Sequence, residues 1–552
     1  MADLARDMGA RQGRRMALVV AASAAGTVFE WYDFFIFGSL AGIIAKHFFV
    51  NVGDAQAYLF ALLTFAAGFA VRPFGAVVFG WFGDRTGRKR TFLVTIAVMG
   101  LATFAVAFLP DYASIGVAAP YLLVALRMLQ GFAIGGEYGG AAIYVAEHTT
   151  AHRRGTATSW IQSAAGLGLV LALIVILITR TAMGEEVFGT WGWRVPFAIS
   201  LVLLGISLWI RLMLEESPAF RRIQEEGTQS KAPIAEAFLQ WKNLKVVLIA
   251  LTGLLMGQGV VWYTAQFYTQ FFLERIVSVA PATVNFLMML VTVVSIPLYL
   301  FFGWLSDHIG RKPVMLLGLG MAAVGFVPGF QMLTVAANPA LARANAHAPV
   351  VVVAAPEDCS LQFDLIGKKK FVTDCDIAKS SLTNAGVAYS NERAPNGTPT
   401  RIRIGKVTLP SVDGRVMSSA QLAKTRKAFD VELKTALAHA GYPLAAAPGQ
   451  IDTARVLMIL MYFVVAATAL YGPQAASLVE LFPTRIRYTA LSVPYHIGVG
   501  WFGGFLPATA FAIVAATGNI YAGLWYPVAV AALGFFVTLF FLPETCRRSD
   551  ED

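Results

Sequence analysis

Hydrophobic positions along this chain do not alternate; they come in long blocks separated by short basic or polar stretches. Thr91 to Pro110, Thr158 to Ile178, Val195 to Leu214, Phe286 to Phe302 and Ala522 to Leu542 carry few or no charges. Each reaches roughly the length of about 20 residues that a spanning helix needs. Only a helix of this kind satisfies its own backbone within hydrocarbon. Hydropathy read forward predicts twelve spans, near 17–45, 57–80, 91–110, 119–146, 156–179, 191–213, 244–273, 282–304, 313–336, 454–480, 488–515 and 519–542.

The basic residues follow these blocks. Arg11, Arg14 and Arg15 precede the first, and clusters at Arg85 to Arg90, Arg153 and Arg154, Arg221 and Arg222, Arg311 and Lys312, Arg485 and Arg487, and Arg547 and Arg548 fall after every second span. The positive-inside rule then places both termini and all these loops in the cytoplasm. A cleaved leader is not expected, because the first apolar run continues through Glu30 and Asp33 into a full-length helix.

A polar stretch separates two sets of six spans, and an internal repeat supports the division. GWFGDRTGRK (Gly80 to Lys89) reappears as GWLSDHIGRK (Gly303 to Lys312), each after the second span of its set. Duplication of this kind marks secondary transporters, whose site lies between the repeats near the bilayer midplane. The expected organisation is a six-helix half at 1–214, a cytoplasmic linker at 215–243 and spans 7–9 at 244–337. An extracytoplasmic insert at 338–453, spans 10–12 at 454–545 and a cytoplasmic tail at 546–552 complete it. The insert is polar, carries Lys368 to Lys370, alternates from Arg401 to Leu409 and turns helix-like from Ser418 to Ala440, so a small α+β module is expected. Of three cysteines, Cys359 and Cys375 lie in it and Cys546 in the tail. With no histidine near, a Cys359–Cys375 disulfide is favoured over a metal site, the alternative being two free thiols.

Composition agrees with a membrane protein. The 552 residues are 57% hydrophobic and 14% charged, with a mean hydropathy of +0.63, too apolar for a soluble chain of this length. The net charge of +10 raises nucleic acid as a partner, but its placement at span ends assigns it to topology instead. GVGWFG (Gly498 to Gly503) matches a dinucleotide pattern yet lies inside an apolar span with no preceding strand, so it is set aside.

Charged residues within the spans are the candidates for chemistry. Glu30 and Asp33 lie one helical turn apart in FEWYDFFIFG, which puts them on nearly one face. A carboxylate held in low dielectric can take up and release a proton near neutral pH, though either acid could instead hold a permanent ion pair. Arg72 in the second span and Arg127 in the fourth are candidate solute-binding or ion-pairing cations, with Gln130 beside Arg127. Glu137, among the glycines of the fourth span, reads equally as a third proton-coupling acid or as a structural partner of Arg72. Gln258, Trp262, Tyr263 and Gln266 in the seventh span have spacings of three and four, which predicts one shared face. Tyr471, Gln474, Tyr495 and His496 come from the tenth and eleventh. These neutral groups are candidates for lining a cavity, packing being the other reading. In the repeated turns, Asp84, Arg85 and Arg88, with Asp307 and Arg311, form a candidate conformational latch near helix ends. No metal set, nucleophile triad or phosphate loop suggests an enzyme.

With FEWYDFFIFG, RPFG, GWFGDRTGRKR, RMLQGFAIGGEYGG, WGWRVPF, LEESPAF, GWLSDHIGRKP and YGPQAASLVELFPTRIRYTA in order, the chain resembles the major facilitator superfamily and, within it, the metabolite:proton symporters. The resemblance covers about Arg15 to Ala336 and Ala454 to Thr545. It implies an all-α membrane protein with a twelve-helix fold of two six-helix halves in a bacterial inner membrane; no cofactor is expected, and the oligomeric state is left open with a monomer favoured. It implies alternating access and symport of a proton with a small polar solute: dicarboxylates, tricarboxylates, aromatic acids or zwitterionic osmolytes. Glu30 and Asp33 are then the coupling acids, with Arg72 and Arg127 as partners or solute contacts. The insert departs from the short loop usual there. The competing reading is a transporter-like sensor whose outer module binds a ligand and whose spans signal inward.

Overall fold

The computed structural model describes residues 2–50, 54–213, 216–360, 372–443 and 445–546. Lys368 to Lys370, Arg547 and Arg548 lie outside the described residues, as do the side chains of Arg11, Arg14 and Arg15. Ten helices are long and apolar enough to cross a membrane, and a bent pair makes an eleventh. In the first half, α1 (Ala2–Ser39) bends by 58° into α2 (Ala41–Phe48). Then come α3 (Asp54–Thr86), α4 (Arg88–Ala107), α5 (Ala118–Glu147), α6 (Arg154–Met183) and α7 (Arg194–Leu212). The 33-residue α3 packs along α5. Apart from the first span, expected from 17 but helical from Ala2, and the second, expected to end at 80 but helical to Thr86, the predicted span ends fall within a few residues of these helix ends, where charges and Gly-rich turns stop each apolar run.

The second half opens with α8 (Trp241–Ile276), α9 (Pro281–Ile309) and α10 (Arg311–Ala337). Three stretches of α8, Ala250–Leu255, Thr264–Tyr268 and Phe272–Ile276, are wound as π-helix. Each wider turn rotates the residues beyond it off the ordinary helical spacing.

The insert is a small α+β module, as its alternating and helical stretches predict. Its strands are β1 (Val350–Ala354), β2 (Tyr389–Arg393), β3 (Arg401–Ile404) and β4 (Val407–Pro410), in the order β2-β1-β3-β4. β1 runs parallel to β2 and antiparallel to β3. The helices α11 (Asp374–Asn384) and α12 (Ser419–His439) cover one face. A capping box between Ser418 and Gln421 starts α12. Val350, Val352, Ile402 and Ile404 alternate inward onto Ile377, Leu382, Phe429 and Leu433, forming a core separate from that of the spans. Cys359 and Cys375 are joined by a disulfide, their Cα atoms 5.1 Å apart.

The module docks on the second half. Tyr389 N donates to Gly518 O at 2.8 Å, and Asn391 Nδ2 to Thr517 O at 3.2 Å. Ala446 N donates to Ser278 O at 2.9 Å, and Asn338 Nδ2 to Val277 O at 2.9 Å. The chain then returns to the bundle through α13 (Thr453–Leu481), α14 (Arg487–Val514) and α15 (Ala522–Phe541). In α14 the segment His496–Gly503 is again π-helical, and its glycines let α8 approach closely: a Cβ at Gly498 would stand 2.7 Å from Leu255 and one at Gly503 2.6 Å from Tyr263.

Candidate functional site: a charged cavity between the halves

Away from the insert, the bundle is closed by two matching joints. Asp84, at the end of α3, accepts from Tyr488 N at 3.1 Å and Thr489 N at 2.9 Å, in the first turn of α14. Asp307, at the end of α9, accepts from Gly155 N at 2.9 Å and from Thr156 N and Oγ1 at 2.8 and 2.7 Å, in the first turn of α6. Each aspartate thus caps a helix start in the other half, where backbone N–H groups lack helical partners and the dipole favours an anion. Arg88 holds Asp84 at 3.2 Å and Arg311 holds Asp307 at 2.6 Å. Gly87 and Gly310 occupy the same place in the two repeats with φ of +112° and +103°, a region L side chains rarely adopt. Glu147 of α5 also reaches Arg487 of α14, at 2.8 Å. Of the candidate latch residues, Asp84, Arg88, Asp307 and Arg311 meet in these joints, while the Arg85 guanidinium lies 4.8 Å over the Trp81 ring.

Between these joints and the insert end lies a cavity of about 50 Å³ at the boundary of the halves. From the first half it is bordered by Thr27, Glu30, Trp31, Phe34, Arg72, Met99, Ile134, Glu137 and Tyr138, and from the second by Trp262, Tyr263, Tyr471, Tyr495, His496 and Val499. Aromatic contacts across the boundary close it towards the insert: Trp31 to Trp262 at 6.2 Å, Phe69 to Tyr263 at 5.7 Å and Phe35 to Phe267 at 6.3 Å.

Two cations in the first half have opposite surroundings. Arg211 of α7 bonds Glu137 at 2.8 Å and also bonds Glu30, so one guanidinium serves two buried carboxylates. It reaches them because Gly26 leaves room; a Cβ there would stand 2.6 Å from Nη2. Arg72 is 4% exposed, lies over the Phe34 and Phe69 rings at 4.9 and 4.1 Å, and forms no ion pair among the described residues. Its Nε has no hydrogen-bond partner there either.

Of the residues predicted from sequence, Glu30, Glu137, Arg72, Trp262, Tyr263, Tyr471, Tyr495 and His496 border the cavity and Asp33, Arg127, Gln130, Gln258, Gln266 and Gln474 do not. Arg127 bonds Gln130 and lies 4.2 Å from the Phe37 ring, while Gln130 donates to Thr103 Oγ1 at 2.6 Å. This pair packs against the flank of α1 rather than the boundary. Gln266 leaves the predicted face because a π-helical stretch begins at Thr264, whereas Gln258 shares the regular helical segment Met256–Tyr263 with Trp262 and Tyr263 and its absence from the wall has no such explanation. Gln266 meets Thr292 at 3.4 Å, and the Gln258 amide has no hydrogen-bond partner among the described residues. Glu137 pairs with Arg211, which corrects the alternative that it partners Arg72. Asp33 joins Glu30 in a second cavity of about 10 Å³ within the first half. Sequence reasoning missed Arg211, whose position near the end of a span reads as an interfacial charge, and offered Arg72 and Arg127 as partners of the buried acids instead.

Two six-helix halves related by a repeated turn, with a polar cavity between them, define a major facilitator carrier. The chain belongs to the sugar (and other) transporter family, whose profile matches residues 18–237, 221–355 and 436–552 and largely passes over the insert; it is a multi-pass membrane transporter. It is 36% identical over 328 residues to the shikimate transporter of Escherichia coli (strain K12), covering 58% of this chain and 73% of that one. It is 34% identical over 329 residues to the glycine betaine/proline/ectoine/pipecolic acid transporter OusA of Dickeya dadantii (strain 3937), covering 58% of this chain and 65% of OusA. The proton:xylose symporter XylE superposes with a TM-score of 0.64 at 15% identity, covering 98% of each chain. The resemblance read from the motifs is thereby borne out at the level of fold and family.

Proposed function

We propose that the protein carries a small carboxylic acid together with a proton across a bacterial inner membrane by alternating access. The observation that carries this reading is Arg72, a buried guanidinium in the cavity wall with no ion pair among the described residues. A charge held within a membrane calls for a counter-ion, and a solute carboxylate fits the fork of a guanidinium bidentately. The surrounding Trp31, Phe34, Trp262 and Tyr263 offer faces to an apolar or cationic remainder of the solute.

Charge balance supports coupling. Glu30, Asp33 and Glu137 face Arg72, Arg127 and Arg211 within the same half, all buried. Three acids against three guanidiniums are neutral when every acid is ionised. A monoanionic solute entering alone would leave a net negative charge in low dielectric, and one proton on an acid restores neutrality. A zwitterion would bring no such demand, so the tally favours acids over betaines even though relatives named for both share this fold.

On this reading both joints face the cytoplasm, the insert is periplasmic, and the structure is closed at both ends of the cavity. The test is uptake of labelled monocarboxylic and hydroxy acids into proteoliposomes under an imposed pH gradient. Accumulation that follows the pH gradient and ignores a membrane potential set by potassium and valinomycin is expected. Uptake of no carboxylate, or uptake indifferent to the pH gradient, sinks the proposal.

A further inference from the structure

Glu30 borders two spaces: the central cavity and the second one, of about 10 Å³, which it shares with Asp33 and Ser207. Asp33 borders only the second. The rest of that wall is Phe29, Ile96, Met99, Gly100 and Leu204, which offer no polar side chain. Asp33 and Ser207 are 6% and 0% exposed, and neither Asp33 Oδ1 nor Ser207 Oγ has a hydrogen-bond partner among the described residues. A space of this size takes one water-sized centre, and a buried water is held by about three polar groups. Glu30, Asp33 and Ser207 supply that number.

We infer that this pocket is a single-water site that relays the proton between Glu30 and Asp33, with Ser207 as the positioning residue; the inference rests on the proton-coupled reading above. The step balances. The water takes the proton of the Glu30 carboxylic acid and gives one of its own to the Asp33 carboxylate, leaving Glu30 ionised, Asp33 protonated and the water unchanged. Arg211, bonded to Glu30, holds the charge left behind. The other titratable or charged groups around the pair are Tyr32 on α1, Glu137 and Arg127 on α5 and Arg72 on α3, while α4 presents Met99 and Thr103 and α7 presents Ser200 beside Asp33, none of which titrates. Glu30 can therefore meet the solute's side of the protein while Asp33 stores the proton out of the solute's reach.

The test uses the full chain in proteoliposomes with Ser207→Val, which fills the space, Ser207→Ala, which removes the hydroxyl, and Ser207→Thr, which keeps it. Two rates are read: accumulation under a pH gradient, and exchange of labelled for unlabelled solute at equal pH, which needs no net proton transfer. Ser207→Val and Ser207→Ala are expected to slow accumulation by about a hundredfold and to keep exchange, while Ser207→Thr keeps both. Ser207→Ala accumulating like the parent overturns the inference, as does accumulation driven by sodium in place of the proton. A parent protein that exchanges solute but ignores the pH gradient overturns the proposed function itself.

Discussion

Tyr138 of α5 and Tyr495 of α14 stack face to face across the boundary between the halves, ring centroids 3.7 Å apart and planes within 9° of parallel. Gln162 Nε2 donates to the Tyr138 hydroxyl at 2.6 Å, and the Tyr495 and Tyr471 hydroxyls meet at 2.9 Å. The pair borders the cavity and so forms part of its closure. An aromatic pair contributes about 0.5–1.5 kcal/mol beyond its buried area, so Tyr138→Ala should favour the open form by about two- to twelvefold. Labelling of a cysteine placed at Thr27, from the side of the joints, reads this out. Tyr138→Phe keeps the stack and should behave like the parent.

The two aspartate caps make a paired prediction. Removing an N-cap acceptor costs about 0.5–2 kcal/mol. Asp84→Ala and Asp307→Ala should each raise accessibility from the joint side, by similar factors, and the double variant by about their product, since the caps are separate contacts. An effect confined to one of them would show that the repeat is not matched in energy.

Arg72→Lys keeps the positive charge but loses the fork. It should raise the KM for a carboxylate by about tenfold or more, roughly 1.4 kcal/mol, whereas Arg72→Ala abolishes binding. Uptake kinetics in proteoliposomes check both. Unchanged affinity in Arg72→Lys would remove bidentate recognition from the mechanism.

Arg211→Met leaves Glu30 and Glu137 side by side without their cation. Breaking a buried pair by removing one partner costs about 3–5 kcal/mol, so this variant should be poorly folded in detergent. Adding Glu30→Gln and Glu137→Gln should restore thermal stability while leaving transport dead.

In the insert, the disulfide closes a loop of sequence separation 16. Its loss through Cys359→Ser should cost the module about 3 kcal/mol and leave the spans folded, because the cores are separate. Burial also pushes the Lys379 amine below its ordinary range, opposed by Asp376. The unfolded state therefore binds more protons between the lowered folded pKa and the ordinary lysine value of about 10.4. The module should gain stability as pH rises through that window, and Lys379→Met should flatten the dependence. Hydrogen exchange of β1–β4 in the full chain measures both effects.

How much of this was legible from the residues varied with the kind of contact. Span positions, the two repeated turns and, in the insert, the alternating run that forms β3 and β4 and the helix α12 are local patterns, and hydropathy and periodicity located them; β1, β2 and α11 were not found that way. Glu30 and Glu137 were singled out because an acid in an apolar block has to be explained. Their shared partner was not found, since Arg211 is 181 residues from Glu30 and helix crossing alone brings them together. The face assigned to Gln266 failed for another reason. Periodicity assumes one kind of helix throughout, and α8 changes its winding three times.

The docking bonds of the insert end on loops and on a helix end of the second half. When one half tilts against the other, the module swings with its host as an outer arm and enlarges a small angular change at the midplane into a larger sweep at its tip. A bulky body gripping the uncovered side of the sheet, where Arg401 and Arg403 stand exposed, would then bias the carrier's cycle mechanically, from a place its solute never visits.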